Sequence, residues 1–167
     1  MPFPYNTVTT AVINVLKNHN TTTANPDLSN GLNVRVDSDN IILGDIQLIQ
    51  PRADRLPLIS VIVDNKSEDY SGIGATGPSG HRKQGTANIQ IGIIMGKFGG
   101  YEADSVVLAD LYSLAANCES TFQAEFTLSN TCLFCNPATS NFLNVFNYGT
   151  GFARPFVINL QTEHLFR

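Results

Sequence analysis

Apolar positions near the start of the chain recur every three or four residues, which predicts an amphipathic helix with one buried stripe. Asn6 or Thr7 can cap this helix, because both side chains accept hydrogen bonds from free backbone amides. The stripe consists of Val8, Ala11, Val12, Val15 and Leu16.

Strand patterns follow after residues 18–30, a polar segment rich in Asn, Thr, Pro, Asp and Ser that is typical of a loop. Strands are predicted over 32–36, 41–49 and 58–64. In the last of these, apolar residues occupy both faces, which indicates a central strand covered on two sides.

Residues 65–85 carry no apolar pattern, and five glycines fall between Ser71 and Gly85. The next strand is predicted over 86–95, where Ile89, Ile91 and Ile93 share one face. A connection of this length is unusual inside a compact domain. The pattern predicts a long hairpin whose glycine-rich part, 65–85, protrudes as a loop or arm.

A second, longer helix is predicted over 104–124, with Glu102 and Asp104 near its positive N-terminus. Its apolar stripe consists of Val107, Leu108, Leu111, Leu114, Ala115, Cys118 and Phe122. Strands are then predicted over 127–134, 142–146 and 156–161. The order of elements predicts one α+β domain over 1–167, with a mainly antiparallel sheet. Val12, Val61, Ile91, Leu111 and Ile158 are the expected core positions.

The composition of the chain favours some classes of function and argues against others. Charged residues make up 14% of the 167, while seventeen asparagines and fourteen threonines supply much of the polarity. A surface with so few charges suits extensive contact with other subunits. The formal charge of −4 argues against tight binding to a phosphate backbone, which needs a basic face. Neither a signal peptide nor a membrane span is expected.

The glycine-rich stretch does not have the spacing of a phosphate-binding loop, GxxxxGK[ST], and a strand rather than a helix follows it. No paired carboxylates or nucleophile motif stands out, so we expect no catalytic activity and no cofactor. Pro51-Arg52-Ala53-Asp54-Arg55 fits either a solvated turn with a weak surface ion pair or a subunit contact.

Cys132 and Cys135 form the chain's CxxC pair, and Cys118 is the third cysteine. A structural zinc site normally needs four ligands, and the further candidates are Cys118 and the scattered His19, His81 and His164. If the pair lies in an extended strand, its side chains point to opposite faces. Buried free thiols in a reducing, cytosolic setting are therefore favoured over a small metal-binding protein or enzyme that uses Cys132 and Cys135.

Taken together, the elements resemble the tail terminator proteins of long-tailed bacteriophages and the neighbouring neck and tail-completion proteins. The resemblance lies in the order of elements over most of the chain, not in one signature motif. The segments that carry it are PRADRLPLISVIVDN (51–65), TANIQIGIIM (86–95), EADSVVLADLYSLAANCESTF (102–122), AEFTLSNTCLF (124–134) and GFARPFVINLQTEHLF (151–166).

The resemblance implies a structural virion subunit, assembled in the host cytoplasm, that forms a ring, typically of six copies. Such a ring caps the tail tube protein and joins it to the head–tail connector, and DNA passes through its lumen without specific binding. Another neck or tail-completion protein is the alternative. The residues expected to contact partners are Arg52, Arg55, His81, Arg82 and Lys83, the last three on the protruding arm.

Overall fold

The structure, a computed structural model, describes residues 3–50, 52–70, 83–98, 104–148 and 151–166. Two helices pack on one face of a six-stranded sheet. The helices are α1 (Tyr5–Asn18) and α2 (Asp104–Ala124), and the strands are β1 (Ile41–Leu43), β2 (Leu58–Tyr70), β3 (Lys83–Phe98), β4 (Phe134–Phe142), β5 (Phe146–Tyr148) and β6 (Gly151–Phe166).

The strands lie in the order β1-β2-β3-β6-β4, and the short β5 also pairs with β6. β1 runs parallel to β2, and every other pairing is antiparallel. The predicted α+β class, with an N-terminal helix and a longer second helix, is confirmed. Within the described parts of the chain, no helix combines the length and the apolar character needed to cross a membrane.

The main core lies between the helices and the sheet. All five positions predicted to be buried are fully buried there: Val12, Val61, Ile91, Leu111 and Ile158. Each comes from a different element, so one apolar layer holds α1, β2, β3, α2 and β6 together. The bounds of α2 also match the predicted helix, 104–124.

A smaller apolar cluster covers one end of the opposite sheet face. The connection between β1 and β2 folds over this face, and Ile46 packs against Leu58 and Ile94. Gly92 makes the approach possible, because a Cβ atom there would lie 2.6 Å from Ile46. The remaining part of this face is polar and is described with the candidate site.

The hairpin formed by β2 and β3 is longer than the sequence predicts. Its register runs from Leu58 opposite Ile94 to Tyr70 opposite Lys83, and β6 continues beside β3 as far as Lys83. Residues 65–70 and 83–85, placed in the predicted arm, are therefore strand residues of the sheet. The rest of that arm, 71–82, lies outside the described residues.

The strand predicted over 32–36 is absent, because side chains satisfy the backbone of Val36. Asn20 Nδ2 donates to Val36 O at 2.7 Å, and Ser29 Oγ accepts from Val36 N at 3.1 Å. Ser29 Oγ also donates to Asn20 Oδ1 at 2.6 Å. This network holds the segment as an irregular loop without a ladder.

The strand predicted over 41–49 shortens to β1. The chain turns directly after it, where Leu48 N donates to Asp45 O at 3.0 Å and Gln47 N donates to Asp45 Oδ1 at 2.9 Å. An Asp side chain that binds its own backbone in this way favours a turn over a strand. The apolar residues beyond β1 therefore cover the sheet and do not extend it.

The prediction of a strand over 127–134 is wrong. Leu128, Ser129 and Asn130 have φ angles of 47°, 55° and 68°, which form a left-handed turn. β4 begins only at Phe134 and runs through a polar segment, because it pairs with β6 along its length. The strand predicted over 142–146 is likewise displaced to β5, and β6 extends beyond the predicted 156–161 at both ends.

Candidate assembly surface

The residues predicted to contact partners do not form one cluster. Arg52 and Arg55 flank the turn that precedes β2, whereas Lys83 begins β3 opposite Tyr70, at the far end of the hairpin. The thirteen residues of β2 separate these two places by roughly 40 Å at ordinary strand rise. His81 and Arg82 lie outside the described residues, as does the side chain of Lys83.

The turn before β2 is a short 3-10 helix, Ala53–Arg55, on the surface. Arg52 Nε lies 3.2 Å from Asp54 Oδ1, and the two side chains are 66% and 64% exposed. An ion pair this exposed contributes little to stability. Arg55 is exposed beside it, so the turn presents two cations and one anion to solvent.

The sheet face opposite the helices is called here the open face. Its polar part is built from rows of side chains that are neighbours on adjacent strands. Asn65 pairs with Asn88, Asn88 with Gln161, and Gln161 with Asn136, so four amides cross β2, β3, β6 and β4 in register. Asn88 Nδ2 donates to Asn65 Oδ1 at 2.7 Å. We call this set the amide row.

Two further rows flank the amide row on the same face. One contains Ile62, Gln90, Asn159 and Thr139, and the other contains Ser67, Thr86, Glu163 and Phe134. Asn159 Nδ2 donates to Thr139 Oγ1 at 2.9 Å. Of the twelve residues in these three rows, Glu163 is the one charged residue. These three rows therefore offer hydrogen-bond donors and acceptors with almost no charge to desolvate, and they contain no basic group to hold phosphate.

Among the exposed apolar side chains, two pairs stand at opposite edges of the sheet. On the β4 side, Tyr112 of α2 contacts Phe142 edge to face, with ring centroids 5.8 Å apart. On the β1 side, Leu43 and Leu48 are 60% and 83% exposed, on the strand and on the turn after it. We call Tyr112 and Phe142 the β4 patch, and we call Leu43 and Leu48 the β1 patch. Four strand spacings, roughly 19 Å, separate the edges on which they stand.

The backbone edges of the sheet are protected against uncontrolled pairing. Within the described sheet, β4 pairs on one side only, and Pro137 and the adjacent bulge interrupt its free edge. Beyond Val61, β2 has no described partner on the β1 side, and Asp64 and Lys66 stand exposed there. Proline, bulges and charges all oppose the addition of a strand. Contacts with another protein would therefore rest on side chains.

The structure corrects the expectation that Cys132 and Cys135 point to opposite faces. Residues 131–133 belong to a turn and not to a strand, so both thiols face the end of α2 and lie within 3.9 Å of backbone carbonyls there. All three cysteines are buried and free.

A metal site at these thiols lacks further ligands. In the ranges that the structure describes, no group of three or more His, Cys, Asp and Glu side chains is arranged to hold a metal ion. His164 is buried nearby with its Nε2 atom 2.8 Å from Thr162 Oγ1, and burial lowers the pKa of its imidazole. His19 Nδ1 donates to the carbonyl of Pro26 at 2.8 Å. The described side chains thus do not supply the four ligands of a structural zinc site.

A shallow groove of about 430 Å³ runs beside α1. It is lined by Asn6, Thr7, Thr10, Ala11, Asn14 and Thr131. These side chains carry amides and hydroxyls but no titratable group, so the groove offers no acid–base pair for catalysis.

Sequence reasoning missed the amide row, although its polar positions were visible. Thr86, Asn88 and Gln90 alternate with core residues in β3, and Asn159 and Gln161 do so in β6. That alternation assigns a face to each side chain. It does not give the register, which places the side chains of different strands next to one another. No protein-family model matches the chain, and the comparison with curated proteins found no match.

Proposed function

We propose that this chain is a structural virion subunit, a tail terminator that forms a ring on the end of a tail tube and joins it to the head connector. The order α1, β2–β3 hairpin, α2 and closing strands is the order on which the family resemblance rests. The observation that carries the assembly part of the proposal is the surface: two separate apolar patches stand beside a wide face with almost no charge.

The positions of the patches favour a ring. The β1 patch and the β4 patch lie on different sides of one sheet and differ in composition, so contact between them joins one copy to the next head to tail. Repeated head-to-tail contacts generate a ring when the rotation closes. If a patch instead contacted the same patch on a second copy, assembly would stop at a dimer. The number of copies, six, comes from the family resemblance.

The open face suits a surface that DNA passes without binding. High affinity for DNA requires Lys and Arg side chains that neutralise phosphates. Besides Ile62 and Phe134, the three rows contain amides, hydroxyls and a single carboxylate, and the whole chain has a formal charge of −4. If this face borders the lumen, its amides stay hydrated and do not hold the passing DNA.

The tail tube protein and the head connector are the proposed partners of the ring. The hairpin of β2 and β3 extends the sheet toward residues 71–82, which include His81 and Arg82. We propose that this tip, together with Lys83, contacts a neighbouring ring. Cations at the rim of a contact set encounter rate and register more than affinity.

Mass measurement and negative-stain imaging of the purified chain at high concentration, alone and with isolated tail tubes, test the proposal. Closed rings, or particles that cap the tube ends, are expected. A chain that stays monomeric and also leaves the tube ends bare would contradict the proposed function.

A further inference from the structure

The connection between α2 and β4 reverses direction through three consecutive left-handed residues. Leu128, Ser129 and Asn130 are not glycines, yet their φ angles are 47°, 55° and 68°. Non-glycine residues rarely adopt this conformation, and surrounding contacts must hold it. Leu128 is fully buried, and Cys132 N donates to Thr127 O at 3.1 Å. The turn therefore returns the chain to the end of α2.

Two thiols meet at that end of the helix. Cys135 Sγ lies 3.7 Å from Phe122 O and 3.6 Å from Glu125 O, and Cys132 Sγ lies 3.9 Å from Phe126 O. The backbone fixes the same arrangement, because Cys135 N donates to Phe126 O at 2.7 Å. Each thiol also shifts the pKa of the other. Both sulfurs therefore lie beside carbonyls of the last turn of α2 and of the two residues that follow it.

The two thiols differ in ways that assign them different roles. Cys132 is 8% exposed and Cys135 is 2% exposed. The neighbouring Cys135 thiol lowers the pKa of the Cys132 thiol. The Cys132 thiol in turn raises the pKa of Cys135, and burial and nearby Glu125 raise it further. The more accessible sulfur is thus the one that forms a thiolate more readily.

We propose that Cys132 and Cys135 are a redox-active pair that closes to an intramolecular disulfide on contact with a disulfide oxidant such as oxidised glutathione. The Cys132 thiolate attacks one sulfur of the oxidant, which forms a mixed disulfide and releases one glutathione. Cys135 then loses its proton to water and attacks Cys132 Sγ, which releases the second glutathione. The two protein thiols give up two electrons, and one oxidised glutathione becomes two reduced molecules.

This inference concerns the fold of the turn and does not depend on the proposed virion role. A reducing cytosol keeps the pair open, and an oxidising medium closes it. The disulfide adds a covalent link between the end of this turn and the second residue of β4. Backbone amides in 128–134 are therefore expected to exchange hydrogen more slowly in the closed state.

The test exposes the reduced full-length protein to oxidised glutathione and follows its intact mass. The expected product has lost two hydrogen atoms, is monomeric on a non-reducing gel, and keeps one thiol that reacts with iodoacetamide after denaturation. Peptide mapping should place that thiol at Cys118, which is fully buried in α2. Three alkylated cysteines, or a disulfide between two copies, would overturn the proposal.

Two variants test the assigned roles. The Cys135→Ser variant should stop at a glutathione adduct on Cys132. The Cys132→Ser variant should react with oxidised glutathione at least about tenfold more slowly than the wild type. The reverse pattern would overturn the assignment of Cys132 as the attacking thiol. Cys118→Ala is the matched control and should close at the wild-type rate. The wild-type mass measurement decides the central point even if a variant fails to fold.

Discussion

Arg154 donates two hydrogen bonds to Asp104, from Nε to Oδ1 and from Nη2 to Oδ2, and each is 2.6 Å long. The pair ties the first residue of α2 to β6, and Asp104 also stands where the helix dipole favours an anion. A guanidinium that binds both oxygens of one carboxylate fixes geometry as well as charge. This pair was not predicted from the sequence, because fifty residues separate its members.

Asp104 should make the stability of the wild-type protein depend on pH in a defined direction, and its substitution should remove that contribution. The hydrogen bond from Arg154 lowers the pKa of Asp104 below its ordinary value of 3.8. A lowered folded-state pKa gives stability that is present above the unfolded pKa and is lost as the pH falls through the folded value. Asp104→Asn should therefore lower the Tm at pH 7, and the difference from wild type should shrink below about pH 4.

Thermal unfolding between pH 7 and pH 2.5 measures this difference. Arg154→Lys is the matched variant, because it keeps the charge and loses the paired donors. It should also lower the Tm at pH 7. A difference between Asp104→Asn and wild type that stays constant down to pH 2.5 would contradict the role of this carboxylate.

Truncation of Leu111 tests the core between α2 and the sheet. Leu111 is fully buried, so Leu111→Ala should lower the free energy of unfolding by roughly 2–5 kcal/mol. Urea denaturation measures the loss. Ser120→Ala, on the exposed side of the same helix, is the control and should change stability by less than about 0.5 kcal/mol. Equal effects of the two substitutions would mean that the helix buries another face.

Gly96 should not tolerate a side chain. A Cβ atom there would meet the carbonyl oxygen of Phe152 and lie 2.7 Å from Ala153 Cα, and both atoms belong to the backbone of β6. Gly96→Ala should therefore destabilise the protein by about 1–3 kcal/mol in urea denaturation. Gly44→Ala is the control, because its added Cβ would meet Ile49 at an ordinary 3.4 Å. Near-neutral behaviour at Gly96 would contradict the close approach of β3 and β6.

Shortening the hairpin tests whether residues 71–82 are needed for folding separately from whether they are needed to join tails to heads. Tyr70 and Lys83 are partners in the ladder, so a two-residue Asn-Gly turn can replace residues 71–82. The shortened chain should keep a Tm near that of the wild type, because the apolar clusters of the described residues already join β2 and β3 to the helices. It should fail to join tails to heads in an assembly assay. Unfolding would show that 71–82 supports the core, and normal joining would remove these residues from the proposed contact.

The sequence alone was sufficient to predict the elements whose structure is determined by apolar spacing. The stripe that includes Leu111 gave α2 with its bounds, and Val61 and Ile91 were assigned to the buried face. Both results follow from the contrast between helical and strand periodicity, which a single segment carries by itself.

Structure that depends on distant partners was not predictable in this way. β4 carries no regular apolar alternation, and its pairing with β6 is what makes it a strand. The turn at Leu128, Ser129 and Asn130 contains no glycine that would signal left-handed backbone. Because that turn was missed, the meeting of Cys132 and Cys135 was missed with it. The amide row likewise required the register of four strands.

Single-patch variants should each block assembly if the two patches contact each other. Leu48→Arg places a charge in the β1 patch, and Tyr112→Arg does so in the β4 patch, while both positions are exposed and should tolerate the change. Each variant should be monomeric in sedimentation velocity under conditions where the wild type forms rings. Thr22→Arg, in the exposed loop after α1, is the control and should assemble normally.

Sedimentation velocity of a one-to-one mixture of Leu48→Arg and Tyr112→Arg tests the head-to-tail ring most directly. Leu48→Arg keeps an intact β4 patch and Tyr112→Arg keeps an intact β1 patch, so one contact remains possible between them. The account predicts a heterodimer that grows no further, with each variant alone monomeric. Rings formed by either variant alone, or a mixture that stays monomeric where the wild type assembles, would contradict it.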